Sequence, residues 1–524
     1  MSDTTNTRPT YGNWRLPSRP GIGPLGLLGT VLLLGGMILA LLTALISWIA
    51  VLAVGALITA VIVPLVIRTV DGRSGFTILA ARAGWARRRF LGDDTYISGP
   101  LSHDPAGSFT PPGLLARTEM LEGRDVYHRP FGVIHDKATG TFTIALECDP
   151  DGGALVDPEQ VDSWVACWGG WLAGLAHEPG LLGAAVIVET APDPGTRLAA
   201  EVLPRLDPAA PEPARAVMTE VVAAYPATSS QTSTYITLTY RPGSRVHRED
   251  MVTNLAIRIS PLAAGLCAAG GGAVRPMPAD RIADAVRTGF DPSVAATVLQ
   301  ARAETGSSGL SWADAGPLTA QETADAYFHE GVVSRSWVAC EAPRGTVRSG
   351  VLRALLEPSP RIFRKRVALL YRPLDPATAA RVVESDRRTA HFMAASTTGL
   401  INARASTTVR AAEQAAAEEA SGAGLVEFAL VATATARGAA SLRETDAEVG
   451  NLAASARLRL RVARGQQAAA FAFGEPQELA GHLARSRQLH AAVARAVAGR
   501  LRAAGLTATA PEAGMPPAPA SGTV

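Results

Sequence analysis

The pattern of apolar and polar residues opens with a long uninterrupted apolar run. No Asp, Glu, Lys, Arg or His occurs among the 48 residues from Pro20 to Ile67. A helix needs about 20 apolar residues to cross the roughly 30 Å hydrocarbon core of a bilayer. The run is therefore long enough for two crossings. It predicts one crossing over residues 25–45 and a second over residues 48–67, as a transmembrane hairpin.

Two other interpretations of this run are less favoured. A cleaved signal peptide has a single apolar core of about 7–15 residues, which is much shorter. A helix pair of a soluble protein shows a polar face, and the run has none. Gly35, Gly36 and Gly55 are small enough to let two membrane helices approach closely. The pattern therefore predicts an integral membrane protein.

Arginines flank the apolar run on both sides. They are Arg8, Arg15 and Arg19 before it, and Arg68, Arg73, Arg82, Arg87, Arg88 and Arg89 after it. The positive-inside rule then places both termini in the cytoplasm, which predicts a two-span protein of the cell membrane. The last four arginines lie among apolar residues close to the membrane, and we predict them as candidate contacts for anionic lipid. A simple role in setting the topology is the alternative.

Beyond residue 112 the pattern changes to short segments of strand and helix. Apolar or alternating segments predict strands, and they cover residues 131–135, 141–148, 184–189, 235–240, 331–340, 349–356, 367–371, 425–436 and 458–462. Residues 157–176 carry Trp164, Trp168 and Trp171 at helical spacing. They predict a helix that packs its bulkiest side chains against a sheet.

A weak repeat links the two halves of this body. Tyr240-Arg241-Pro242 and Tyr371-Arg372-Pro373 each end a predicted strand and precede a helix. The repeat predicts two related cytoplasmic α/β sandwich modules of ferredoxin-like βαβ character. The predicted fold class is therefore α+β, with the transmembrane hairpin followed by these two modules.

The predicted organisation has seven parts. They are a cytoplasmic N-terminal segment (1–24), the transmembrane hairpin (25–67), a basic juxtamembrane linker (68–112), a first α+β module (113–302), a linker with a connecting strand (303–346), a second α+β module (347–506) and a disordered tail (507–524). The tail is rich in Ala, Pro, Gly and Ser and cannot bury a core.

Charge is nearly balanced over the chain but unevenly distributed. The formal net charge is +2, although residues 1–95 hold nine arginines against four aspartates. The remainder is slightly acidic, and such a surface binds DNA or RNA poorly without specificity. We therefore expect no direct contact with nucleic acid.

The sequence offers one match to a common cofactor motif, and it is a chance match. Gly21, Gly23 and Gly26 fit the dinucleotide pattern Gly-x-Gly-x-x-Gly, but they follow no strand and open a predicted membrane crossing. Neither lysine, Lys137 or Lys365, follows a glycine-rich turn and precedes Ser or Thr, so no phosphate-binding P-loop is present. Zinc-ligand spacings and a Gly-x-Ser-x-Gly elbow are also absent. The adjacent pairs His135-Asp136 and His329-Glu330 are poor catalytic candidates, because neighbours on a strand face opposite ways. We predict no catalytic residue, no metal site and no cofactor.

Several phrases together carry a family resemblance. They are Tyr11-Gly-Asn-Trp14, Tyr96-Ile-Ser-Gly-Pro-Leu101, Pro112-Gly-Leu-Leu115, Arg129-Pro-Phe-Gly132 and Trp164-Val-Ala-Cys-Trp-Gly-Gly-Trp171. Through them the chain resembles an actinobacterial family of integral membrane proteins associated with conjugation-like secretion genes. Its architecture is also similar to that of EccE, the E component of type VII (ESX) secretion. Residues 425–476 resemble the non-motor N-terminal domain of conjugation-type secretion ATPases.

The resemblance implies a function in transport across the cytoplasmic membrane. It implies a non-catalytic subunit, a scaffold or adaptor, of a machine that translocates protein or DNA. The implied partners are the lipid bilayer, a secretion or conjugation ATPase and other membrane subunits in an oligomeric assembly. The alternative is a membrane-tethered enzyme or ligand-binding protein whose site has no recognisable motif.

Overall fold

A computed structural model describes the larger part of the chain. The described residues are 11–12, 26–44, 47–66, 75–102, 108–150, 152, 155–193, 195–224, 229–243, 246–341, 343, 346–395 and 403–473. The predicted N-terminal segment, apart from residues 11 and 12, and the predicted disordered tail lie outside these ranges.

Helices and strands alternate along the described chain. The helices are α1 Gly26–Ala44, α2 Trp48–Val66, α3 Gly75–Leu91, α4 Pro158–Gly174, α5 Thr196–Val202, α6 Glu212–Ala224, α7 Arg248–Leu266, α8 Ala279–Phe290, α9 Ala295–Thr305, α10 Arg353–Leu356, α11 Pro376–Ala395, α12 Ala403–Ala420, α13 Leu442–Ser455 and α14 Gln467–Phe473. The strands are β1 Thr95–Ile97, β2 Thr118–Arg124, β3 Pro130–Asp136, β4 Thr141–Asp149, β5 Leu181–Pro192, β6 Ser230–Tyr240, β7 Ala273–Pro276, β8 Thr319–Glu322, β9 Tyr327–His329, β10 Val332–Glu341, β11 Arg364–Pro373, β12 Val426–Ala436 and β13 Arg459–Val462.

The apolar run folds as two helices that pack on each other. A Cβ atom added to Gly36 of α1 would lie 2.8 Å from the side chain of Ile58 on α2. The close approach therefore depends on the missing side chain of Gly36. Added Cβ atoms at Gly35 and Gly55 would meet nothing within 4 Å. Of the three predicted glycines, only Gly36 lies at the helix contact.

One sheet holds the thirteen strands of the described chain. Its order is β1-β8-β9-β10-β12-β11-β5-β6-β4-β3-β2, with β13 beside β10 and β7 beside β4, and the paired strands run antiparallel. The central strands are long, and β5 pairs over most of its length with both β6 and β11.

The predicted fold class is wrong. Instead of two ferredoxin-like sandwich modules after a transmembrane hairpin, strands from both halves of the body form one large antiparallel sheet. The junction is the pairing of β5 with β11, from Lys365 opposite Thr190 to Tyr371 opposite Ala184. Both strands of the weak repeat, β6 and β11, flank β5 in this sheet. Separate modules would have left these long edges unpaired, and an unpaired edge exposes a row of hydrogen-bonding groups.

Helices cover both faces of the sheet. Neighbouring residues of β3 face opposite cores, because Val133 packs with α7 and Ile134 packs with α8. Helices α4 and α7 cover one face of the first half, and α10 and α13 cover the second half. Helices α8 and α14 cover the opposite face.

Helix α4 lies over the sheet as the tryptophan spacing predicted. Trp168 stacks on Trp171 at 5.0 Å and meets Tyr371 of β11 edge-on at 5.8 Å. The Trp171 indole also donates to the backbone oxygen of Leu262 in α7, over 3.2 Å. The tryptophans therefore connect α4 both to the second half of the sheet and to the neighbouring helix.

One helical segment of the described chain is long and apolar enough to span a membrane. By length and composition alone, the segment Arg248–Gly271 qualifies, and Leu32–Ala44 is a shorter apolar helical segment. The first of these is α7 and its continuation. Its buried residues Leu255, Ile259 and Leu266 lie in the core against the sheet. A core helix of this kind passes the same length and composition test.

Candidate functional site

The basic helix α3 joins the apolar helices to the sheet. Its C-terminal end is followed within a few residues by β1, which pairs with β8 from Thr95 opposite Gln321 to Ile97 opposite Thr319. The backbone N–H of Glu322 also donates to the oxygen of Asp94 over 2.7 Å. The chain that leaves the apolar helices is therefore built into one end of the sheet.

The structure separates the four arginines that the sequence grouped together. Arg88 faces the body, whereas Arg82, Arg87 and Arg89 are exposed. The Arg88 guanidinium pairs with the Glu322 carboxylate of β8 at 2.9 Å and also donates to the backbone oxygen of Gly465. Only 5% of the Glu322 side chain is exposed. Charge-assisted hydrogen bonds of this kind are stronger than neutral ones, so Arg88 fastens α3 to the body.

Trp85 completes this contact one turn earlier on α3. A Cβ atom added to Gly465 would lie 3.3 Å from the Cβ atom of Trp85, and Gly465 has a φ of +68°. A glycine suits both the left-handed backbone and the close approach. We name the contact of Trp85 and Arg88 with Glu322 and Gly465 the α3 clasp. The sequence offered no signal for Glu322 or Gly465, because each lies more than 200 residues from α3.

The opposite face of α3 combines apolar and basic side chains. Leu79 is 59% exposed and Phe90 is 91% exposed. They are eleven residues apart, about three helical turns, and so lie on one face. By the same helical geometry Arg82 and Arg89 lie on one side of this stripe and Arg87 on the other. The Arg89 guanidinium also lies 5.4 Å from the centre of the Trp85 ring, which is within cation–π range.

A second N-terminal contact reaches the body from before the apolar helices. Tyr11 and Val347 exchange two backbone hydrogen bonds, of 2.8 and 2.7 Å. Tyr11 precedes α1, whereas Val347 lies in the second half of the body, just before α10. The segments on either side of the apolar helices therefore both contact the sheet domain.

A cleft of about 340 Å³ opens at the same end of the sheet. Strand β1, strand β8 and the turn between β9 and β10 line it, together with residues 438 and 439. His329 and Glu330 belong to this lining, which makes them the natural test of the alternative enzyme hypothesis.

The His329 side chain is turned into the core. It is 2% exposed, its Nδ1 lies close to the backbone oxygen of Phe290, and its Nε2 lies 2.8 Å from the Ser334 hydroxyl. Burial lowers the pKa of His329 to about 3. The imidazole is therefore neutral at physiological pH, with both nitrogens engaged inside the protein.

The Glu330 carboxylate holds the turn beside the cleft. It accepts from Arg287 at 3.3 Å and also from the backbone N–H of Leu318. Glu330 has a φ of +44°, an uncommon conformation for a residue with a side chain. The two hydrogen bonds hold this turn in place. The adjacent pair His329-Glu330 therefore forms two separate structural contacts.

The other adjacent pair also has structural partners. His135 stacks on Phe142 at 4.4 Å, and its Nδ1 lies 2.8 Å from the Glu119 carboxylate. Glu119 also pairs with Lys137 and Arg248, at 2.6 and 2.7 Å. Hydrogen bonds from Lys137 and His135 lower the pKa of Glu119 to about 2. The cluster joins β2, β3 and the start of α7.

The most unusual charged residues lie in the middle of the sheet. Arg364, Lys365 and Arg366 are consecutive on β11 and are each at most 5% exposed. Arg366 lies over the Phe471 ring at 4.3 Å, and burial lowers its pKa to about 9. Burial likewise lowers the pKa of Lys365 to about 8. In the sequence the neighbours of Lys365 exclude a P-loop, but no local pattern indicates this buried cluster.

The described residues offer no side-chain cluster with the composition of a metal site. Within those ranges no group of three or more His, Cys, Asp or Glu side chains is arranged to hold a metal ion. The absence of a cofactor stays a prediction from the sequence.

A match to a known family lies in the N-terminal part of the chain. A family described as a domain of unknown function (DUF8461) matches residues 18–77. The match covers α1, α2 and the first residues of α3. No curated protein matches the chain significantly. The chain is therefore similar to a family of unknown function over its apolar N-terminal helices.

Proposed function

We propose that the protein is a non-catalytic membrane subunit, a scaffold or adaptor, of a machine that translocates protein or DNA across the cytoplasmic membrane. Machines of the type VII, EccE-like or conjugation-like kind are the proposed class. The observation that carries the proposal is the α3 clasp, where Arg88 pairs with the buried carboxylate of Glu322. It couples α3, which follows the apolar helices after eight residues, to a broad sheet domain, as an anchored scaffold requires.

The proposed topology has α1 and α2 crossing the cell membrane and both termini in the cytoplasm. The hydrogen bonds between Tyr11 and Val347 support it. Residues before and after the two helices can pair directly only when they lie on the same side of the bilayer. The arginine-rich flanks favour the cytoplasmic side.

The body would act by docking other subunits. Its partners would be an ATPase that supplies the energy, and further membrane subunits of the same oligomeric machine. Neither of the two lysines of this chain is placed to bind the phosphates of ATP, so ATP hydrolysis would belong to the partner. Lys365 is buried in the sheet, with its ammonium donating to the backbone oxygen of Glu357 over 2.6 Å. Lys137 pairs with Glu119 at the surface.

Membrane integration is tested by fractionating cells and washing the membranes with alkaline carbonate. The full chain should stay in the pellet. Leu34→Arg combined with Leu52→Arg should release it, because an arginine at the centre of a membrane helix costs about 2.5–3.5 kcal/mol. The matched control is Leu155→Arg, at a side chain fully exposed on the body. Recovery of the unmodified chain in the supernatant would contradict the proposal.

The partners are tested by affinity purification from detergent-solubilised membranes with mass spectrometry. A P-loop ATPase and further membrane proteins should co-purify with the chain. The Leu155→Arg variant serves again as the control for unchanged complex formation. Purification of the chain alone in several detergents would count against a subunit of a larger machine.

A second candidate function is the binding of a small ligand in the cleft beside β1 and β8. Its volume of about 340 Å³ favours this possibility, because ligand pockets are about 300–1,000 Å³. Ala439→Trp would fill the cleft. Small molecules that raise the melting temperature of the solubilised unmodified chain, but not that of the Ala439→Trp variant, would support binding in the cleft. Equal shifts of the melting temperature in both proteins would exclude the cleft as the binding site.

A further inference from the structure

The face of α3 that points away from the body is exposed within the described residues. It presents the exposed side chains Leu79 and Phe90 between Arg82 and Arg89 on one side and Arg87 on the other. Burying a side chain such as Phe90 would remove a large apolar area from water. Long arginine side chains can bury their stems beside it while their charged ends remain in a polar layer.

We propose that this outer face lies in the headgroup layer of an anionic bilayer and that Arg82, Arg87 and Arg89 bind phosphate groups of the lipid. The inference rests on the proposed membrane location of the protein and adds the lipid class and the residues that recognise it. Arg88 is excluded from the lipid site, because its guanidinium is committed to Glu322 and Gly465.

Two observations favour lipid over a protein as the occupant. Only eight residues separate α2 from α3, so this face starts close to the end of an apolar helix that is suited to the bilayer. The exposed charges on α3 are all positive, in the sequence from Gly75 to Leu91. A basic face with an apolar stripe is the form of helices that lie in a membrane interface.

The arrangement has a consequence for the whole body. The α3 clasp fixes this helix on the sheet, and lipid contact on the opposite face would fix the helix on the membrane. Together the two contacts would set the orientation of the sheet relative to the bilayer surface. On an anionic membrane, the docking surfaces of the body would therefore have one fixed orientation relative to the bilayer.

The test uses the full chain reconstituted in nanodiscs of phosphatidylcholine, with or without phosphatidylglycerol, and measures amide hydrogen exchange over residues 79–90. Each arginine near an anionic surface is expected to raise affinity by a factor of about five. Exchange should be slower in the anionic discs, and 0.5 M salt should remove most of the difference. Replacing Arg82, Arg87 and Arg89 by Gln should abolish it, whereas replacing the same three by Lys should largely preserve it.

Four outcomes would overturn the inference. Equal exchange in neutral and anionic discs would exclude recognition of lipid charge. Equal protection in the Gln and unmodified proteins would exclude the three arginines. Protection seen in native membranes but absent from discs of the purified chain would assign this face to a protein partner. Failure of the chain to enter discs would overturn the proposed membrane location itself, which the first three outcomes leave intact.

Discussion

The Arg364 guanidinium on β11 pairs with the Glu189 carboxylate on β5 at 2.5 Å, and both side chains are at most 10% exposed. The same guanidinium donates to the backbone oxygen of Thr288 at the end of α8. One ion pair thus joins the two halves of the body at the strand junction and connects them to a covering helix. Ion pairs this deeply buried are costly to break, because the remaining charge has no water to solvate it.

We expect Arg364→Met to destabilise the protein by about 3–5 kcal/mol, since it leaves Glu189 buried without this partner. The double variant Arg364→Met with Glu189→Leu should recover much of the loss. Thermal unfolding of the detergent-solubilised full chain measures both. The control Arg387→Met breaks an exposed pair with Glu384 on α11 and should have little effect. Equal losses in Arg364→Met and Arg387→Met would contradict the structural role of the junction.

The α3 clasp predicts that substitutions of Arg88 and Arg87 affect stability differently, although the two residues are neighbours in the sequence. Arg88→Gln should cost about 1–3 kcal/mol, because it leaves the Glu322 carboxylate without its charged partner. It should also speed limited proteolysis between residues 88 and 95 by releasing α3 from the sheet. In neutral detergent, where no lipid phosphate is present, Arg87→Gln is the matched control and should leave the cleavage rate unchanged. The clasp would be disproved if both variants were cleaved at the same rate.

His329 predicts a specific dependence of stability on pH. Its folded-state pKa is lowered to about 3 from an ordinary 6.5. Between these values the unfolded chain binds a proton that the folded chain does not, so stability falls as the pH drops from about 6.5 toward 3. The slope from this group is at most about 1.4 kcal/mol per pH unit.

His329→Gln removes this titration while keeping hydrogen-bonding groups for Phe290 and Ser334. Between pH 7 and pH 5 its melting temperature should fall less than that of the unmodified chain. His391→Gln, at an exposed position on α11, is the control for the replacement of a histidine by glutamine as such. Parallel curves for the unmodified and His329→Gln proteins would show that His329 is accessible to protons in the folded state.

Gly272 and Gly169 give a matched pair of glycine substitutions. Gly272 has a φ of +62°, and an added Cβ would overlap the backbone oxygen of Asp149. Gly272→Ala should therefore destabilise the protein by about 1–3 kcal/mol. Gly169 lies on the exposed side of α4, where an added Cβ meets nothing within 4 Å. Gly169→Ala should stabilise by about 0.5–1 kcal/mol, and thermal unfolding with the opposite ranking would contradict the described backbone.

The pairing of Tyr11 with Val347 predicts that cysteines introduced at these two positions can form a disulfide. Residues that exchange both backbone hydrogen bonds have Cα atoms about 5.5 Å apart, which is within the range of a disulfide. Tyr11→Cys with Val347→Cys should cross-link in isolated membranes treated with a mild oxidant, as peptide mapping would reveal. Tyr11→Cys with Leu155→Cys is the control and should not cross-link. Without a cross-link in the first variant, the two segments would not meet, and the proposed topology would lose its main support.

Local sequence pattern located most elements of the body. The predicted helix over 157–176 is observed as Pro158–Gly174, and the predicted strand over 425–436 is observed as Val426–Ala436. Residues 349–356 were predicted as a strand but form a short 3₁₀ helix and α10. A short apolar segment has no unambiguous period, so pattern alone does not separate a strand from a helix there.

The candidate site was predictable only in part. The sequence identified Arg82, Arg87, Arg88 and Arg89 as a basic group beside the membrane segment. Arg88 differs from the other three because it lies on the side of α3 that contacts the body. That side is set by the contacts with Glu322 and Gly465. Spacing within one helix shows which residues share a face, but it does not show what that face will contact.

By itself the sequence determined the properties that depend on neighbours along the chain. These are the apolar run that becomes α1 and α2, the basic start of the body and the positions of most strands, because side-chain period and charge act over a few residues. Only the tertiary structure decided that β5 pairs with β11 and that Arg88 turns inward. Those contacts join residues about 180 or more positions apart. Their partners are selected by complementary strand edges and buried charges, which leave no periodic signal in the sequence.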